Sequence, residues 1–237
     1  MKPWPLIALS LSVGAAAAAP NCSVTSGAKP PVVVELYTSE GCSSCPPADH
    51  WLTTHKGRDD VLALAFHVNY WDRLGWVDRF ASPETTQRQY TLARSSGSGQ
   101  VYTPQVVVDG RDWTSWPRLP AQPAASPVSV SLVRDGDAVS AQVAPASTAP
   151  AQLDGYWAVL EDNHMSKVRA GENAGETLHH DSVVRLYRPV PGWRASEGTR
   201  SRLEVSRGDA AYPRRVAFVV ADAATQRPLQ AAVLACP

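Results

Sequence analysis

Two cysteines separated by two residues, Cys42-Ser43-Ser44-Cys45, stand between an apolar, β-branched run at residues 32–37 and the dipeptide Pro46-Pro47. That placement restricts the local fold severely. Residues 32–37 predict a strand, and Thr38-Ser39-Glu40-Gly41 predicts the turn that ends it. Proline is tolerated in the first turn of a helix, where its missing N–H costs little, so Pro46 and Pro47 open a helix that continues over residues 48–55. A second apolar run, residues 61–68, is long enough for a strand buried on both faces, and the helix between the two runs makes a parallel crossover unit. Residues 70–96 predict helix with a break near Pro83. Val106-Val107-Val108 followed by Asp109-Gly110 predicts a strand entering a tight hairpin, with its partner at residues 111–115. The expected architecture of this part is a mixed sheet with flanking helices.

A cysteine at the start of a helix faces unpaired backbone N–H groups and the positive end of the helix dipole, both of which favour thiolate. Cys42 is therefore the expected nucleophile, and Cys45 is close enough to resolve a mixed disulfide. The expected activity is thiol–disulfide exchange with protein or small thiols, with no cofactor beyond the redox-active disulfide Cys42–Cys45. The segment Val101-Tyr102-Thr103-Pro104-Gln105 resembles the cis-proline loop of thioredoxins, which implies that Thr103 and Pro104 flank the disulfide and guide an extended substrate segment. Glu35 is a candidate general base on the first strand, or else a strand carboxylate paired with an arginine. His67, Tyr70, Trp71 and Asp72 follow the carboxyl end of a parallel strand, where open α/β sheets collect ligand contacts; the alternative is that they pack the helical segment onto the sheet. Two other readings of the cysteine pair stand beside exchange. One is copper binding or delivery, with His67 as a third ligand. The other is a non-catalytic binding module in which the disulfide is only a strut. His179 and His180, adjacent on a predicted strand, point to opposite faces and are poorly arranged to chelate one ion.

Residues 1–19 carry the pattern of a secretory signal peptide, with Lys2, an apolar stretch and then alanines. The protein is thus expected in the periplasm or secreted, with protein thiols or disulfides of that compartment as partners. No later apolar run approaches the roughly 20 residues of a membrane span, so no stable membrane insertion is expected after cleavage. Four cysteines suit an oxidising compartment, and Cys22 and Cys236, near the two ends of the mature chain, are expected to form a structural disulfide. The 22 basic residues balance the 22 acidic ones, which removes the electrostatic case for nucleic acid or an anionic membrane surface. Prolines at 117, 120, 123 and 127 mark an expected linker over residues 117–127. It would separate a thioredoxin-like domain, residues 30–116, from short alternating segments in residues 128–237 that predict a β-sandwich-like domain.

The block from Val34 through Cys42-Ser43-Ser44-Cys45 to Asp49 resembles an exported bacterial family catalogued as domain-of-unknown-function family 1223. So do His67-Val68-Asn69-Tyr70-Trp71-Asp72-Arg73, Phe80-Ala81-Ser82-Pro83, residues 101–110, and Arg169-Ala170-Gly171-Glu172-Asn173-Ala174-Gly175. The resemblance implies a thioredoxin-like fold and assigns no reaction. Two departures from the usual thioredoxin pattern leave the direction of electron flow open: Gly41 precedes Cys42 where tryptophan is usual, and Ser43-Ser44 replaces Gly-Pro. Glu40 opposes thiolate formation at Cys42 by its charge, whereas the helix terminus favours it.

Overall fold

A computed structural model describes residues 22–236; the expected signal peptide, residues 1–19, lies outside the described residues. In chain order the elements are β1 (Cys22–Thr25), β2 (Val32–Thr38), α1 (Pro46–Thr53), β3 (Val61–His67), α2 (Pro83–Ser95), β4 (Gln105–Val108), β5 (Arg111–Asp112), β6 (Val128–Asp135) and β7 (Ala138–Pro145). They continue with β8 (Gln152–Glu161), β9 (His164–Lys167), β10 (Thr177–His180), β11 (Val183–Arg194), β12 (Thr199–Glu204), β13 (Arg214–Asp222) and β14 (Pro228–Leu234). The fold is mixed α/β, mostly strand. An eight-stranded sheet runs in the order β14-β13-β8-β11-β3-β2-β4-β5, a four-stranded sheet in the order β1-β6-β7-β12, and β9 and β10 form a two-stranded ribbon.

β2 and β3 lie parallel in the middle of the large sheet, and every residue of both is buried, as apolar runs covered on two faces require. The period of two in a strand sorts their side chains. Val32, Val34 and Leu36 meet Ala48, Trp51 and Leu52 of α1, whereas Val33 and Tyr37 join Leu92 of α2 in a separate cluster. Each large side chain so buried stabilises the fold by about 1.5 to 3 kcal/mol. The break expected near Pro83 falls between a 3-10 turn, Asn69–Leu74, and α2, whose N-cap Ser82 forms a reciprocal capping box with Thr85. After β4 the chain turns at Asp109 and Gly110, both with positive φ, into β5. A Cβ on Gly110 would stand 2.7 Å from the Gln226 carbonyl oxygen, so only glycine fits.

The eight-stranded sheet crosses residues 117–127, where composition predicts a boundary between two domains. β11 continues the sheet beside β3, in parallel at Val183 and Ala65, with the Ala65 N–H donating to the Ser182 carbonyl at 2.8 Å. The two segments therefore share backbone hydrogen bonds instead of meeting only through side chains. An apolar layer joins the four-stranded sheet (Val130, Leu132, Val139 and Leu203) to the β8, β13 and β14 end of the large sheet (Trp157, Phe218 and Leu234).

Cys22 and Cys236 are bonded, with a Cα–Cα separation of 6.0 Å. The bridge ties β1, an edge strand paired only with β6, to the chain end that follows β14. Replacing both cysteines by serine is expected to cost about 2 to 4 kcal/mol, because a closed loop of this length greatly restricts the unfolded chain. Urea unfolding of the double variant checks this, and a midpoint equal to that of the parent contradicts it.

Candidate functional site

The end of β2, the start of α1, the 3-10 turn, the loop before β4 and the tip of the β9–β10 hairpin converge on the cysteine pair. Cys42 and Cys45 are bonded to each other, with Cα atoms 5.4 Å apart, and both residues are fully buried. The turn before the helix is held by the Cys42 N–H donating to the Ser39 carbonyl at 3.1 Å and the Cys45 N–H donating to the Cys42 carbonyl at 3.2 Å. The Ser44 hydroxyl lies 3.5 Å from the Cys42 sulfur.

Trp71 links this turn to the proline loop. A Cβ on Gly41 would come within 3.0 Å of the Trp71 Cβ, so glycine before Cys42 leaves room for the tryptophan at that place. The Trp71 indole N–H donates to the Thr103 hydroxyl at 2.8 Å, and the Thr103–Pro104 peptide is cis. Gln89 of α2 steadies the same loop by donating to the Tyr102 carbonyl and to the Gln105 side chain, each at 2.8 Å. Burial pushes the Tyr70 phenol up to about 12. The Asp72 carboxylate accepts the Asp78 N–H at 3.1 Å and so shapes the 69–78 segment from within.

Beneath the turn lies a buried cluster of three carboxyl groups and two imidazoles, most of which sequence reasoning missed. His67 Nδ1 is 2.7 Å from Asp78 Oδ2, and that oxygen also accepts the Glu40 N–H at 2.9 Å. Glu40 turns inward, accepting the Trp76 indole N–H at 2.7 Å with His180 Nε2 at 3.2 Å. Asp49, in the first turn of α1, accepts the Thr38 hydroxyl at 2.9 Å. Burial opposes charge on Glu40, Asp49, His67 and Asp78; partners outweigh it at Glu40, His67 and Asp78 but not at Asp49. Against its desolvation, His67 holds the Asp78 carboxyl down at about 2. Against its own desolvation, the His67 imidazole is raised above its ordinary value by Asp78, then by Asp49 and Glu40. Burial raises the Asp49 carboxyl, with His180 and His67 opposing. A cavity of about 200 Å³ between α1 and β10, lined in part by Asp49 and His180, opens onto this cluster.

Glu35 does not belong to this assembly, which corrects its candidate role as a base for the cysteines. It alternates with Val34 and Leu36 and so projects from the sheet face opposite α1. There it accepts Arg88 Nη2 at 2.8 Å and Nε at 3.2 Å, the Tyr37 hydroxyl at 2.5 Å and the Tyr156 hydroxyl at 3.1 Å. Its oxygens are occupied by structural partners. Among the described residues, no three His, Cys, Asp or Glu side chains are arranged to hold a metal ion. His67, the third ligand expected for copper, is engaged at Nδ1 by Asp78. His180 is buried and His179 exposed, as alternation along β10 requires.

The missed members had weak signals. Asp49 follows Ala48 on the inward side of α1, one turn after Cys45, so helical periodicity alone could have flagged it. Asp78 and His180 come from segments whose approach to His67 depends on the whole fold.

The family described as Protein of unknown function (DUF1223) matches residues 33–221. No curated protein matches the chain. A crystal structure of protein AGR_C_4864 from Agrobacterium tumefaciens is similar, with a TM-score of 0.64 and 26% identity over 86% of this chain and 93% of that one. HBP35 of Porphyromonas gingivalis is similar in fold, with a TM-score of 0.59 and 14% identity over 88% of this chain and 76% of that one. Among the described residues no helix is long and apolar enough to cross a membrane.

Proposed function

We propose, for a chain that belongs to the DUF1223 family and inherits no reaction from it, that it is an exported thiol–disulfide oxidoreductase built on a thioredoxin-like unit, with β-sandwich-like packing in the later segment. The observation that carries this reading is the Cys42–Cys45 disulfide at the start of α1, joined through Trp71 to a cis Thr103–Pro104 loop. In the reducing direction the Cys42 thiolate attacks one sulfur of a partner disulfide, forming a mixed disulfide and releasing the other sulfur as a thiolate. Cys45, once deprotonated, attacks the Cys42 sulfur, closing the internal disulfide and releasing the second partner thiol. Two electrons pass from the cysteine pair to the partner, and the reverse sequence oxidises a partner dithiol. Thr103 and Pro104 would line the extended partner segment, and protein thiols or disulfides of the periplasm are the partner class.

Full burial of both cysteines favours a second reading, a binding module with a structural disulfide. One experiment separates the two: the reduction potential in glutathione buffers, read by mass spectrometry after thiol trapping, together with a search for mixed disulfides in a Cys45→Ser variant. A potential between roughly −120 and −270 mV with trapped partners is expected. A pair that stays oxidised below about −300 mV and traps nothing overturns exchange in favour of the strut.

A further inference from the structure

The tip of the β9–β10 hairpin is folded to fit the backbone around Cys42. Residues 168–176 close on themselves through the Val168 N–H donating to the Glu176 carbonyl and the Gly175 N–H donating to the Val168 carbonyl, each at 2.9 Å. Gly171 and Gly175 take positive φ at the bends, and Gly171 lies against Trp76. Two side chains project from this tip onto the cysteine turn. One carboxylate oxygen of Glu172 accepts both the Ser43 backbone N–H at 3.0 Å and the Ser43 hydroxyl at 2.8 Å. The buried Asn173 amide donates to the carbonyls of Glu40 at 2.9 Å and Cys42 at 3.0 Å. These four hydrogen bonds reach across more than a hundred residues of sequence to a single turn.

Resting on the exchange reading, we propose that Glu172 and Asn173 are positioning residues of the cysteine site: the hairpin tip is a displaceable cover whose carboxylate restrains formation of the Cys42 thiolate while it is closed. The Ser43 N–H belongs to the residue after the nucleophile, in the turn that precedes α1, where a backbone donor beside the sulfur can stabilise negative charge. Glu172 occupies that donor and adds a negative charge of its own beside Cys42. The Ser43 N–H and then its hydroxyl hold the Glu172 carboxyl below the usual carboxylate range, so this charge is present at neutral pH. A thiolate on Cys42 and the Glu172 carboxylate hydrogen-bonded to Ser43 therefore compete for the same local field, and by linkage each weakens the other. Ionising the thiol loosens the tip, and a partner segment that lifts the tip frees the thiol to ionise. Asn173 supplies the opposing hold, since its two acceptors are main-chain carbonyls that do not change with redox state.

The other ionisable groups around the turn, Glu40, Asp49, His67, Asp78 and His180, belong to the buried cluster and keep their partners when Glu172 is changed. Glu172 is exposed, so its replacement leaves the core intact.

The test is the Cys42 thiol titration in the full chain carrying Cys45→Ser, followed by thiolate absorbance near 240 nm. Glu172→Gln, which removes the charge and keeps an acceptor for Ser43, is expected to lower the Cys42 pKa by about one unit at low salt. The difference should shrink in 1 M salt, where the screening length falls to about 3 Å. Asn173→Ala is expected to raise the rate of Cys42 alkylation by iodoacetamide about tenfold at fixed pH, because the tip opens more often. Equal Cys42 pKa values with and without Glu172→Gln, at low salt, overturn the proposal. The titration follows the thiol and needs no exchange partner, so a pair that traps nothing would refute exchange without deciding this result.

Discussion

Replacing Arg88 by methionine is expected to destabilise the protein by about 3 to 5 kcal/mol, because it strands the Glu35 carboxylate in the interior without its countercharge. Arg88 grips Glu35 through two nitrogens, lies with its guanidinium carbon 4.7 Å from the Tyr156 ring centre, and is as buried as the carboxylate it holds. The Tyr37 and Tyr156 hydroxyls donate to the same carboxylate, and neither neutralises it. Methionine fills much of the volume of the lost side chain, so the loss falls on electrostatics more than on packing. For a chain of this size such a loss lowers the melting midpoint by roughly 6 to 20 °C. The double variant Glu35→Gln with Arg88→Met removes the stranded charge and should recover about 2 kcal/mol relative to the sum of the single changes. Urea unfolding of the parent, both single variants and the pair gives the coupling directly. Strict additivity, or a cost below about 1 kcal/mol for Arg88→Met, contradicts a buried pair at this position. Because Glu35 projects from the face opposite α1, the Cys42–Cys45 potential should be the same in every variant that folds.

The contrast between Glu35 and Asp49 marks where the sequence was readable. Strand β2, the cysteine turn, α1, β3 and the Asp109-Gly110 hairpin follow from local pattern: a two-sided apolar run, a proline pair at a helix start, a turn dipeptide with positive φ. Glu35 illustrates the limit of that pattern. Alternation along β2 assigned it to one face, but which face carried α1 depended on how the crossover packed. The strands β9 and β10 are short and mostly polar, and alternation at His179 and His180 sorted their faces without showing what the buried one would meet. Their placement beside α1 brings Glu172, Asn173 and His180 to the cysteine turn from more than a hundred residues away. Nor did composition show that β11 would pair with β3. The proline-rich stretch at 117–127 is a surface connection, as its composition implies, yet the sheet closes behind it through hydrogen bonds that only the assembled strands make.

Asp78→Asn is the second substitution with a large expected effect, again about 3 to 5 kcal/mol, and its signature is a changed pH dependence. Asp78 Oδ2 serves His67 and the Glu40 N–H together, and an amide cannot accept from both while matching the charge of a protonated imidazole. The signs of the two shifts fix the pH window. Asp78 is depressed to about 2, so its contribution is complete above the unfolded carboxyl value of about 4 and disappears as pH falls through 2. His67 is raised, so its contribution is complete below the unfolded imidazole value of about 6.5 and is lost as pH rises through the folded one. Both operate between roughly pH 4 and 6.5, where the parent should be most stable with respect to this pair. Above that window stability should fall by up to about 1.4 kcal/mol per pH unit until His67 deprotonates in the fold. With Asp78→Asn the imidazole loses its main support, burial then favours the neutral ring, and this downward slope should vanish or reverse. Unfolding free energies of parent and variant at intervals from pH 4 to 9 check the prediction. Parallel curves would mean that His67 is neutral in the fold and that Asp78 holds the turn through the Glu40 and Phe80 N–H groups alone.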